Sequence, residues 1–209
     1  MLNFDKKGIV TVLQEMPASA CSAFAAACAA RLTSVYRIVQ SSLGQGDPDI
    51  LDTSLDRVWS FCMNGTAADW NALADALVGL IPDEEEGASF LHSVIDDALA
   101  AGAYAIRSVA SSGPEQAAWA AQRVYDAVDR FAGQTLDAAE FTELVESALL
   151  ESAVVQQELR RQQHDLTLLK SSSPADLVRT IATLRARTSN TSALPIEDVE
   201  RIVKSTKQG

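Results

Sequence analysis

His92 and Asp96 are the pair of residues best spaced for chemistry, because they stand one turn apart in a stretch with helical periodicity. A His-x-x-x-Asp pair could supply two ligands to a metal ion, or a general base and the carboxylate that orients it. A metal site needs at least one further ligand, and neither the cysteines nor the distant His164 supplies one at a usable spacing. We therefore favour a surface ion pair or a capped helix end for this pair.

Arg31 is the most informative single charge, because it lies within a helical stretch that is rich in alanine. An arginine in such a place usually pairs with a carboxylate, and Asp56 or Asp96 is the expected partner. Two interpretations stay open. The favoured one is a structural ion pair inside the protein, and the other is a site that binds an anion.

Sequence motifs for a cofactor, a metal or a catalytic nucleophile are absent from this chain. Cys21 and Cys28 lie seven residues apart, which is about 10.5 Å along a helix and too far for a disulfide. Together with Cys62 they fit small buried apolar residues. The sequence has no CxxC pair, Walker loop, GxGxxG motif or nucleophile elbow. We expect no enzyme activity, no cofactor and no bound metal.

Negative charge is concentrated in one segment. The net charge of the chain is −11, and residues 45–105 hold twelve carboxylates and one base, Arg57, so this segment alone carries −11. If the predicted helices at 47–62 and 90–111 lie side by side, one acidic surface forms from Asp47, Asp49, Asp52, Asp56, Asp83, Glu84, Glu85 and Glu86. Such a surface favours a basic protein partner and disfavours direct contact with nucleic acid. The alternative is that the charge serves only solubility.

Apolar periodicity predicts an all-α fold without strands. The alanine-rich stretch Ser19–Leu43 predicts a central helix, with a single-domain bundle of eight or nine helices around it. A regular apolar repeat over residues 141–169 predicts one long helix, or two with a kink near Glu151, packed within the domain or against another chain. We expect residues 1–187 to form the bundle and residues 188–209 to form a loosely attached tail with a short helix.

The sequence also predicts where the protein resides. No apolar run approaches the roughly 18 residues that span a bilayer, and the N-terminus lacks the apolar centre of a secretory signal. We therefore expect a cytoplasmic protein without membrane contact, for which a homo-oligomer is compatible with the sequence.

A set of scattered residues matches a known pattern. The set comprises Phe24, Arg31 and Tyr36 in the alanine-rich helix, Leu55-Asp56-x-Val58-Trp59, Ile95-Asp96, and Gln157-Glu158 with Gln162. In these residues the chain resembles the YjaG-like family of bacterial proteins, a domain of unknown function. The resemblance implies an all-helical cytoplasmic domain and assigns no catalytic residue.

Two functional hypotheses follow. The first is a non-enzymatic acidic interaction protein, most concretely a bacterial immunity protein or antitoxin that blocks a basic toxin or nucleic-acid-acting partner. It rests on the segregated charge and on the missing catalytic motifs. The alternative is an uncharacterised housekeeping enzyme, or a module for a small ligand or metal, with its site near Arg31, His92 and Asp96.

Overall fold

A computed structural model of the chain describes residues 1–44, 47–82, 89–135 and 143–206, with the side chains of 143–146 excepted. These residues form eleven α-helices and no strand, which confirms the all-α prediction. The helices are α1 (Lys6–Gln14), α2 (Ala18–Ala30), α3 (Thr33–Leu43), α4 (Ile50–Asn64), α5 (Trp70–Val78), α6 (Phe90–Ser111), α7 (Pro114–Thr135), α8 (Glu143–Glu151), α9 (Ala153–Lys170), α10 (Leu177–Thr188) and α11 (Ile196–Thr206).

The predicted number of eight or nine helices is wrong for these residues, because one stretch expected to be continuous is broken and the run over 141–169 takes its two-helix alternative. The stretch Ser19–Leu43 is two helices, α2 and α3, bent by 44° at Arg31 and Leu32. At this bend the carbonyl of Arg31 accepts a hydrogen bond from the amide of Ala193, at 2.7 Å. The second break is at Ser152, whose hydroxyl caps α9 by accepting a hydrogen bond from Val155 N.

Helix α2 is buried on every side. All ten residues from Ala20 to Ala29 lie in the interior, and α2 packs against α4, α6, α7, α9 and α10. A helix that is apolar around its whole circumference is typical of a protein core or a membrane span, and small side chains let several neighbours approach it closely. This packing places the C-terminal end of α2, and with it Arg31, deep in the molecule.

The C-terminal segment contributes to the same core. Residues 188–209 were expected to form a loosely attached tail, yet Ala193, Leu194, Val199 and Val203 are buried. Helix α11 packs against α3, and the segment before it bonds to Arg31 through Ala193.

Over the part of the chain that the structure describes, no single helix has both the length and the apolar character to cross a membrane. The bent pair α2–α3 meets that test by length and composition only, and its first helix lies in the interior of the fold.

Candidate anion-binding site

Arg31 is the centre of a buried cluster of charges. Its side chain is only 2% exposed, and its Nε and Nη2 donate to both oxygens of Glu158 at 2.8–3.1 Å. Its Nη1 donates to Asp165 Oδ2 at 2.8 Å. The two carboxylates lie two turns apart on α9, so they face the same side of that helix. The expected partners of Arg31, Asp56 and Asp96, were therefore wrong, whereas the favoured interpretation as a buried ion pair agrees with these contacts.

Further polar groups surround the two buried carboxylates. Arg187 of α10 pairs with the second oxygen of Asp165, and Arg161 lies 3.9 Å from Glu158. Burial alone would lower the pKa of Arg31, but Glu158 and the other neighbours raise it above its usual value, so this guanidinium stays charged. Burial lowers the pKa of the Arg161 guanidinium below its usual value.

An open cavity of about 370 Å³ adjoins this cluster, between α9 and α10. Four guanidinium groups and a single carboxylate contribute to its wall, which comprises Arg31, Gln157, Arg160, Arg161, His164, Asp165, Arg187, Thr188 and Thr191. Arginine presents several N–H donors in a planar fork that suits phosphate and carboxylate oxygens. This cavity is a concentration of positive charge in a chain whose net charge is −11.

The carboxylates predicted to form an acidic surface carry their own counter-charges. Asp49, the residue just before α4, and Asp52 within it both pair with Arg37 of α3, and Asp56 of α4 pairs with Arg185 of α10 at 2.7 Å. Asp49 and Asp56 remain about two-thirds exposed, at 65% and 64%. The structure thus brings these carboxylates together at the surface, but with two arginines among them.

The remaining members of the predicted acidic surface are less informative. The carboxylate of Asp47 accepts a hydrogen bond from the amide of Asp49 at 2.9 Å, in the turn before α4. Asp83, Glu84, Glu85 and Glu86 lie outside the described residues.

His92 and Asp96 do not join Arg31. The imidazole Nδ1 of His92 lies 2.8 Å from the hydroxyl of Ser89, the residue that caps α6, which agrees with the capped-helix interpretation. Asp96 lies 3.9 Å from Arg123. Within the described ranges, no three His, Cys, Asp or Glu side chains form a group that could hold a metal ion.

A family model described as "Protein of unknown function (DUF416)" matches residues 8–195 of the sequence. The chain belongs to the DUF416 family. A crystal structure of a DUF416 family protein from Shewanella baltica OS155 has a similar fold, with a TM-score of 0.73 and 16% sequence identity. The similarity covers 88% of this chain and 97% of that one. No curated protein sequence matched the chain.

In this DUF416 protein the alanine-rich sequence singled out Arg31, and the family pattern included Glu158 without pairing it with Arg31, whereas Asp165 and Arg187 were missed. These residues contact Arg31 or each other across different parts of the chain, so local spacing does not pair them. Glu158, for example, is 127 residues from Arg31. A local signal does exist for the carboxylates, because Glu158 and Asp165 each directly precede a leucine of the apolar repeat on α9, Leu159 and Leu166. Charges seven residues apart beside an apolar stripe indicate a polar contact at the edge of a buried face.

Proposed function

We propose that this DUF416 protein is a non-enzymatic binding module that holds a small oxyanion, in the first place a phosphate group, in the arginine-lined cavity. The observation that carries the proposal is the composition of the cavity wall, in which four arginines meet one carboxylate. Phosphate oxygens accept several short, charge-assisted hydrogen bonds from such groups.

Three of the four arginines already contact protein groups, and Arg160 is the one without such a contact in the described ranges. Arg31 is committed to Glu158 and Asp165, so it contributes charge rather than free N–H groups. Arg187 is paired with Asp165. Arg161 donates to the carbonyl of Ser192 through Nη1 at 2.7 Å, which leaves further donors on its guanidinium. Arg160 is exposed and has no ion-pair partner among the described residues.

Binding without turnover fits the same contacts. Asp165 in the cavity wall and Glu158 in the adjoining cluster are each held by arginine. Arginine donates to all four oxygens of these two carboxylates, so both are already occupied as acceptors.

The test is calorimetric titration of the protein with sodium phosphate at constant ionic strength. Arg160→Gln should weaken phosphate binding about tenfold, as expected for one charge-assisted hydrogen bond. The matched control is Arg179→Gln, an arginine of α10 that is 80% exposed and pairs with Asp176; its affinity should equal that of the wild type. An absence of binding by the wild type, or equal losses in the two variants, would remove the proposal.

A second candidate is the acidic interaction protein, most concretely a cytoplasmic immunity protein or antitoxin. The exposure of Asp49 and Asp56 along one side of α4 favours it. Ion pairs at the surface contribute only about 0–1 kcal/mol, so a basic partner could replace Arg37 and Arg185 at little cost. The structure also weakens this candidate, because the two arginines reduce the net negative charge that would steer such a partner.

This second candidate has its own experiment. A basic protein recovered from the native cell should associate more slowly with the triple variant Asp49→Asn, Asp52→Asn and Asp56→Asn, and the difference should shrink in high salt. The matched control neutralises Asp75, Glu115 and Glu151, which changes the net charge equally at other sites. Equal association rates for the two triple variants would exclude a specific acidic surface.

The closer likeness to YjaG-like proteins also stays a proposal. The residues that carry it in the alanine-rich stretch, Phe24, Arg31 and Tyr36, are all buried. The pattern therefore supports shared core packing, and we do not extend it to a shared ligand.

A further inference from the structure

A second concave site lies between α9 and the N-terminal segment that includes α1. It is a groove of about 380 Å³, within the range of small-molecule sites. Most of its wall is apolar, formed by Leu2, Phe4, Ile9, Val12, Leu159 and Leu166.

Gln162 is the buried polar residue of this groove, with 2% of its surface exposed. Its Nε2 donates to the carbonyl of Ala121 at 3.2 Å and to Glu158 Oε1 at 3.0 Å. Because both neighbours are acceptors, the amide cannot be turned over, and the positions of its nitrogen and oxygen are fixed.

The carbonyl oxygen of the same side chain is buried and receives no hydrogen bond from any group in the described part of the protein. A buried acceptor without a donor gives up the hydration it has in the unfolded chain. A ligand that brought a donor to this oxygen would recover that loss.

We propose that this groove binds a small amphipathic molecule with an apolar body and a neutral hydroxyl or amide head that donates to Gln162 Oε1. The apolar wall accommodates the body, and the oxygen selects the head. A carboxylate or phosphate head would place an acceptor against an acceptor, and the cation of the wall, Lys170, is already paired with Glu15 at 2.8 Å. The groove is thus distinct in chemistry from the arginine-lined cavity, and it does not depend on the function proposed above.

The probes are octan-1-ol and sodium octanoate, which share a chain length and differ in the head. Each is titrated into the ¹⁵N-labelled protein, and backbone amides of α1 and α9 are followed by NMR. Octan-1-ol should bind saturably, with shifts at Gly8, Ile9 and Leu166, and octanoate should bind at least fivefold more weakly.

Two variants test whether the probes bind in this groove and whether Gln162 sets the preference for the alcohol. Gln162→Leu should abolish the preference for the alcohol over the acid, while the matched control Gln134→Leu, an exposed glutamine of α7 outside both the groove and the arginine-lined cavity, should retain it. Val12→Trp, at a half-buried position of the wall, should fill the groove and remove binding of both probes while the remaining amide spectrum is preserved. Equal affinities for the two probes, a preference retained in Gln162→Leu, or binding retained in Val12→Trp would each overturn the proposal.

Discussion

Arg31 and Arg37 each bridge two carboxylates, but they do so in opposite surroundings. The side chain of Arg31 is 2% exposed, and that of Arg37 is 46% exposed. Removing one partner from a buried ion pair leaves uncompensated charge in the interior, at a cost of about 3–5 kcal/mol. Surface pairs contribute about 0–1 kcal/mol. Burial therefore decides the energetic importance of otherwise similar contacts.

We expect Arg31→Met to lower the free energy of unfolding by about 3–5 kcal/mol, and Arg37→Met to lower it by less than about 1 kcal/mol. Urea denaturation followed by circular dichroism measures both. In the background of Arg31→Met, Glu158→Gln should recover part of the loss, because Glu158 loses its close ion pair with Arg31 whereas Asp165 keeps Arg187. Equal effects of the two single variants would show that the buried cluster is not energetically special.

Asp97 provides a second prediction for a single residue. Its carboxylate is fully buried on α6 between Arg123 and Arg130 of α7, and burial raises its pKa to about 6 against the opposing effect of Arg130. Between about pH 4 and pH 6 the folded protein then holds a proton that the unfolded chain has lost. The contribution of Asp97 to stability is therefore largest at low pH and declines as the pH rises through 6.

Asp97→Asn removes the titration of this carboxyl. The difference in the free energy of unfolding between wild type and variant therefore separates the contribution of Asp97 from those of the other carboxylates. The stability of the wild type minus that of Asp97→Asn should decrease from pH 4 to pH 6.5, as measured by urea denaturation at each pH. Asp96→Asn, which makes the same replacement at the half-exposed neighbour, serves as the control for the loss of a carboxylate in this turn. A difference for Asp97→Asn that rises with pH would mean that burial does not raise the pKa of this carboxyl.

At the scale of the helices, two glycines report how tightly the elements approach. Gly102 of α6 faces α4 and α5, and an added Cβ would lie 2.5 Å from Leu51 Cδ1 and 2.9 Å from Leu77 Cδ1. Both leucines are fully buried, so neither can move freely. Gly133 of α7 has room, because its nearest contact would be Leu149 Cδ2 at 3.8 Å.

Gly102→Ala and Gly133→Ala should therefore have opposite effects, although both replace glycine within a helix. We expect Gly133→Ala to stabilise the protein by about 0.5–1 kcal/mol through helix propensity. Gly102→Ala should destabilise it by about 1–3 kcal/mol through overpacking. Thermal and urea denaturation measure the two values, and stabilisation by both variants would mean that the contact of α6 with α4 and α5 is loose.

The helices also show which features the sequence can predict. The burial of α2 follows from its composition, because alanine on every side leaves no polar face. The bend at Arg31 has no such local cause, since the apolar spacing continues through it. The bend coincides with a hydrogen bond from Ala193, which is distant in sequence. The local pattern of α2–α3 therefore could not reveal the bend. The break at Ser152 was anticipated as one of two alternatives, because serine is a common N-cap.

At the scale of the whole molecule, charge that is segregated in sequence is mixed in space. The acidic segment 45–105 is met by arginines from outside it, namely Arg37, Arg107, Arg123, Arg130 and Arg185. Counting charges along the chain therefore leaves out the arginines that Asp49, Asp52 and Asp56 meet in space. The positive cavity was missed for the same reason, because its arginines come from the end of α2, from α9 and from α10.

The C-terminal segment tests whether the described chain unfolds as one unit. Val199 of α11 is fully buried and Glu200 beside it is exposed. All three tryptophans, Trp59, Trp70 and Trp119, lie before residue 188, so tryptophan fluorescence reports only on the body of the protein.

If α11 belongs to the same cooperative core, a cavity made at Val199 must destabilise the body that the tryptophans report. Val199→Ala should then lower the free energy of unfolding, measured by tryptophan fluorescence in urea, by about 1–3 kcal/mol. Glu200→Ala should change it by less than about 0.5 kcal/mol. A loosely attached tail would instead unfold separately and leave that transition in place. The same transition seen by circular dichroism should coincide with the fluorescence signal in both variants, because a shared core couples α11 to the helices that hold the tryptophans.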